Sequence, residues 1–147
     1  MKTAMKFVCL ALAVILFSHG GAFAADSPNG FDPNRYVVKD GLLFLDDKQF
    51  YGAEVVTVQT ARGTIYWLAG DPEADGTNRG LYRGWKSGIY FFGQDGKFIS
   101  MLEKERAQMC FVRFSPDGEQ FTIGIFGDSE YLLYNFDTLE LIENSAE

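Results

Sequence analysis

The sequence predicts an all-β protein built from repeated antiparallel hairpins, with about ten short strands. Three observations carry this. Apolar residues alternate with polar or small ones at period two in many short runs, the pattern of half-buried strands. Clusters of Gly, Pro, Asp and Asn separate these runs at a spacing of roughly 8–12 residues. Beyond the N-terminal apolar run, no segment of useful length shows the repeat of an amphipathic helix. The clearest stretch covers residues 110–126. Val112 and Phe114 alternate with Arg113, Ser115-Pro116-Asp117-Gly118 turns the chain, and Phe121, Ile123 and Ile125 resume the alternation.

The N-terminus has the build of an export signal. Lys2 and Lys6 supply a positive start, residues 7–17 are apolar, and Ala22-Phe23-Ala24 offers a small-x-small cleavage site. The apolar run is short for a bilayer span. Cleavage before Ala25 would leave Cys110 as the sole cysteine and no histidine. The expected location is therefore periplasmic or secreted, with no membrane span after cleavage. An internal disulfide is then impossible, so packing or oligomerisation must supply the stability.

The elements follow in order. Residues 25–34 read as a flexible leader, rich in Asp, Ser, Pro, Asn and Gly. Residues 36–38 and 42–45 flank Asp40-Gly41, whose turn chemistry suits a short hairpin. Residues 54–59 and 64–69 form a second hairpin around Arg62-Gly63. A polar insertion occupies 70–80, and 81–85 reads as a short strand. Residues 89–92 and 97–102 pair around Gln94-Asp95-Gly96, and the charged stretch 103–107 reads as a connector. The hairpin at 110–126 is fourth; 131–134 and 139–142 make the fifth. The whole divides into a signal peptide at 1–24, the leader, and one all-β domain at 35–143.

Two stretches share a rhythm, 53–102 and 108–142. They are offset by about 56 residues, or about 45 without the insertion, which suits a four-stranded unit. Phe114-Ser115-Pro116-Asp117-Gly118, the alternating strand after it, and Tyr131-Leu132-Leu133-Tyr134 resemble one blade of an extracytoplasmic or WD-repeat-like β-propeller. The good match spans about residues 109–142. In the first copy Thr60-Ala61-Arg62-Gly63 replaces the Ser-Pro-Asp-Gly turn, and the Trp-Asp ending of WD repeats is absent, with Tyr134-Asn135 near its place. The resemblance implies blade-like sheets, and propellers host many unrelated functions. The chain holds too few strands to close a propeller alone. Two arrangements remain, a compact sandwich or barrel and a set of partial propeller-like sheets, the second inviting assembly into a homo-oligomeric ring.

The chemistry is bounded by what the chain lacks. The formal net charge is −7 and the cations are scattered, which argues against nucleic acid. Without histidine, no Ser-His-Asp or Cys-His nucleophile system can form within a cleaved chain. Asp71, Glu73 and Asp75, with Gly76 at the sixth position, resemble a calcium-binding loop of the EF-hand type; Tyr82 stands where the bidentate Glu belongs. The expected reading is an ordinary solvated acidic loop with no cofactor, and Ca²⁺ is the one alternative the loop could take. Glu54, Asp71, Glu73, Asp75, Asp128 and Glu130 are candidate carboxylates for a glycan hydrolase or lyase, though no spacing singles out a pair.

Tyr82, Arg83, Trp85 and Lys86 interleave aromatic rings with cations beside the insertion, a composition common in recognition of proteins and sugars. The competing assignment puts Tyr82 and Trp85 in the core. The expected function is a non-catalytic exported module that binds protein or glycan, with the 70–86 loop as its recognition site. A carboxylate-based glycan hydrolase or lyase and a structural subunit of a ring or envelope complex are the alternatives.

Overall fold

The computed structural model describes residues 32–51, 53–71 and 85–146. The expected signal peptide lies outside them, as do most of the leader and most of the 70–86 loop. Among the described residues the only helices are short 3-10 turns, and none is long and apolar enough to cross a membrane.

Among the described residues eleven strands form three antiparallel sheets. The first sheet holds β1 (Tyr36–Lys39), β2 (Leu42–Leu45) and β3 (Lys48–Gln49). Its turns use positive φ at Asp40 and Gly41, then at Asp46 and Asp47, the geometry tight hairpins need. The second sheet is a meander of β4 (Val56–Thr60), β5 (Gly63–Gly70), β6 (Gly88–Phe92) and β7 (Phe98–Glu103). The third is a meander of β8 (Cys110–Phe114), β9 (Gln120–Ile125), β10 (Tyr131–Asn135) and β11 (Leu141–Asn144).

The sheets stack face to face, with the second in the middle. Strand β6 shows why. All five of its residues are buried, and its uninterrupted apolar run is what a strand covered on both faces requires. Ile89 and Phe91 point into one core with Ile65, Trp67, Val112, Phe121 and Ile123. Tyr90 and Phe92 point the other way, into a core with Tyr36, Val38, Leu43, Leu68 and Met101. Phe91 meets Phe114, Phe121 and Phe136 with ring centroids at 5.9, 5.0 and 5.3 Å. Each buried ring of this kind contributes about 1.5–3 kcal/mol through lost water contact, with edge-on geometry favoured by the ring quadrupoles.

The turns lock the second and third sheets together. The Ala61 N–H donates to the Pro116 carbonyl at 2.9 Å, and the Arg62 guanidinium reaches Asp137 at 2.9 Å. Gly118 has φ +77, and a Cβ there would lie 2.7 Å from Thr60 Oγ1, so its place demands glycine twice over. The first sheet is tied on separately, by Val38 N–H donating to the Gly96 carbonyl at 2.9 Å.

The all-β class and the antiparallel hairpins stand as the sequence indicates. The barrel alternative does not: among the described residues no sheet closes on itself, because each meander ends in an open edge. The segment ahead of the second sheet is a three-stranded sheet, since the Asp46-Asp47 turn adds β3 to the hairpin. The final strand runs Leu141–Asn144, two residues beyond the expected 139–142, because Leu139 takes a left-handed φ of 59 inside the turn.

Candidate functional site

Two features share one end of the stack. The β4–β5 and β8–β9 turns meet at the opposite end, so the ends of β5 and β9 fall together. From the second sheet Asp71 and residues 85–87 lie here; from the third comes the β9–β10 turn, residues 126–130.

The stems of the loop are firmly rooted. Asp71 is 5% exposed and Trp85 4%. The Trp85 indole N–H donates to the Tyr36 hydroxyl at 3.1 Å, and its ring packs on Tyr36 and Tyr90 with centroids at 4.9 and 4.6 Å. Gly70 permits this: a Cβ there would lie 2.8 Å from Trp85 and 2.9 Å from Tyr90. The Tyr90 hydroxyl donates to the Lys86 carbonyl at 2.6 Å. Burial pushes the ionisation of both Tyr36 and Tyr90 upward, so both rings stay neutral.

Of the residues singled out in the sequence, Trp85 is therefore a core residue, and its ring is not available at the surface. Lys86 is half-buried and pairs with Glu103 at 3.0 Å. Asp71 is buried in the stem. Tyr82, Arg83, Glu73 and Asp75 lie outside the described residues, so the aromatic-cation cluster and the calcium-like loop are represented only by these anchors. Among the described residues no three His, Cys, Asp or Glu side chains group closely enough to hold a metal ion.

The second feature is an open cleft of about 250 Å³. Ile123, Ile125 and Leu132 of the third sheet form its apolar floor, and Lys104, Asp128 and Glu130 are among its rim residues. Tyr131, Asn144 and Ala146 close one side. The Tyr131 hydroxyl donates to Glu143 at 2.9 Å, and this bond holds its ionisation above the usual phenol range. Cys110 is buried near this end; burial raises its thiol above the ordinary range, which keeps it protonated and inert.

Sequence reasoning named Asp128 and Glu130 only as members of a scattered carboxylate set. The structure brings both to the cleft and leaves Glu54 exposed on the approach to β4. Lys104, Tyr131 and Leu132 are not among the site residues the sequence suggests. Tyr131 at the start of a strand, after an acidic turn, was the one local cue. Both cleft carboxylates are open to water and lack the apolar enclosure that a general acid in glycoside hydrolysis uses. The arrangement suits holding a ligand: an apolar floor, a charged rim and a rigid scaffold. Compared with known protein families, curated proteins and solved structures, the chain finds no match.

Proposed function

We propose that the protein is an exported, non-catalytic binding module that engages a protein or glycan at the end of the stack that carries the roots of the 70–86 loop and the cleft. The observation that carries this reading is that the buried Asp71 and Trp85, which flank residues 72–84, and an open cleft with an apolar floor are set at the same end of the strands. Loops fixed on rigid sheets are where recognition commonly sits. The acidic chain and the lysine-bearing export-type N-terminus support the periplasmic or secreted location. The test is a screen of the cleaved protein against arrayed peptides and glycans. A ligand should bind without turnover, and its affinity should fall on deletion of 72–79 or on Leu132→Arg in the cleft. Asp71 stays in the deletion variant because it is packed into the stem. A ligand that survives both changes overturns the reading, and turnover of a glycan favours the hydrolase or lyase.

A second reading is a structural subunit of a propeller-like ring. It is supported by two successive four-stranded meanders stacked turn against turn, as blades are. Light scattering decides it: a strict monomer at micromolar concentration sinks the ring.

A further inference from the structure

We infer that the free edge of the third sheet accepts an extended peptide segment with alternating basic and apolar side chains, which pairs with β11 and seats an apolar side chain in the cleft. This rests on the binding-module reading and names a ligand chemistry for the same end of the molecule.

Strand β11 is terminal in the order β11-β10-β9-β8, and no described strand lies beyond it. It carries neither proline nor lysine, two residues that commonly blunt such edges. Leu141 and Ile142 are 52% and 48% exposed. A bulge between Leu133 and Tyr134 shifts the register, but pairing resumes through Ser145 N–H, which donates to the Tyr131 carbonyl at 3.0 Å. The backbone groups of an edge strand that point away from its neighbour are the template for strand addition.

The cleft opens beside this edge, since Asn144 and Ala146 belong to its lining. Asn144 is paired with Leu132 of the floor, and cross-strand partners share a face. A strand added to β11 therefore directs alternate side chains toward the face that bears the cleft. The other alternate set meets acidic groups. Glu143, paired with Leu133, lies on that opposite face, with Glu140 beside the exposed pair, while Asp128 and Glu130 add negative charge at the cleft itself, against Lys104 as the cation of its lining. The Tyr131 bond fixes the Glu143 carboxylate while leaving its second oxygen for a ligand cation. The same charges argue against a second copy of this chain as the occupant, because pairing β11 with itself brings glutamates together.

The test uses ¹⁵N-labelled protein and a capped peptide of alternating Lys and Val. The expected result is a saturable shift of amide signals at 141–146 and around Lys104, weakened by salt. Replacing Lys by Glu in the peptide should weaken binding by about tenfold or more, and N-methylating alternate peptide amides should abolish it. Equal binding of the Lys and Glu peptides, binding that survives N-methylation, or no shift at all overturns the inference. Shifts at Asp71, Trp85 and Lys86 instead of β11 also overturn it while leaving the binding-module reading intact. That reading fails on its own assay, if ligands found on the arrays ignore both the loop deletion and the cleft substitution.

Discussion

Trp85 and Tyr36 are joined by a 3.1 Å hydrogen bond from indole to hydroxyl, inside a buried cluster of rings. One residue closes the long loop and the other opens the first strand, so the bond ties the first sheet to the root of the candidate recognition loop. Tyr36→Phe removes the acceptor and keeps the ring. The expected cost is about 1 kcal/mol, read as a shift in the denaturant midpoint, with the m-value unchanged.

Gly70→Ala should cost about 1–3 kcal/mol through overpacking. A methyl group there meets the Trp85 and Tyr90 rings at 2.8 and 2.9 Å. Because those rings root the loop, the variant should also weaken ligand binding. Gly124→Ala is a useful comparison: its Cβ would collide with the Phe111 ring on the outer face of the third sheet, so it should lose stability and leave the loop stem undisturbed.

The Ser115–Gly118 turn predicts an acid-range effect. The Ser115 hydroxyl and the Glu119 N–H both donate to Asp117, and they hold its carboxyl below the usual range. A depressed folded value stabilises the protein above the ordinary carboxylate value of about 3.9, and that contribution is lost as pH falls through the folded value. Asp117→Asn should therefore melt lower than the parent at neutral pH. The gap between the two should close as pH drops below about 4. A gap that is constant with pH would refute the assignment.

Cys110 should resist alkylation in the folded protein. Its thiol is buried and its ionisation raised, so labelling at pH 8 should follow transient opening. The rate should rise steeply with added urea and reach that of a free thiol only in the unfolded chain.

Much of the strand pattern was legible because it is local. The turn at 115–118 announces itself through Pro, Asp and Gly, and the structure fills it with Asx and serine bonds. The continuous run Ile89-Tyr90-Phe91-Phe92 is the signature of a strand without a wet face. Asp46-Asp47 escaped notice because two aspartates at positive φ look like any polar loop. The site was less legible. Trp85 beside cations has the composition of a recognition surface, yet Gly70 draws its ring inward. The cleft joins Lys104 to residues some twenty to forty positions later, and only the stacking of two sheets brings them together.

The doubly covered strand β6 also governs how the molecule can come apart. Its amides hydrogen-bond to β5 and β7 on either side, and its side chains belong alternately to two cores. Neither outer sheet can detach without wetting half of that strand. Loss of cooperativity is thus built out of the fold: the three sheets should melt in one transition, with the slowest amide hydrogen exchange at residues 89–91. For the same reason, neither the first sheet nor the third is expected to survive as an excised fragment.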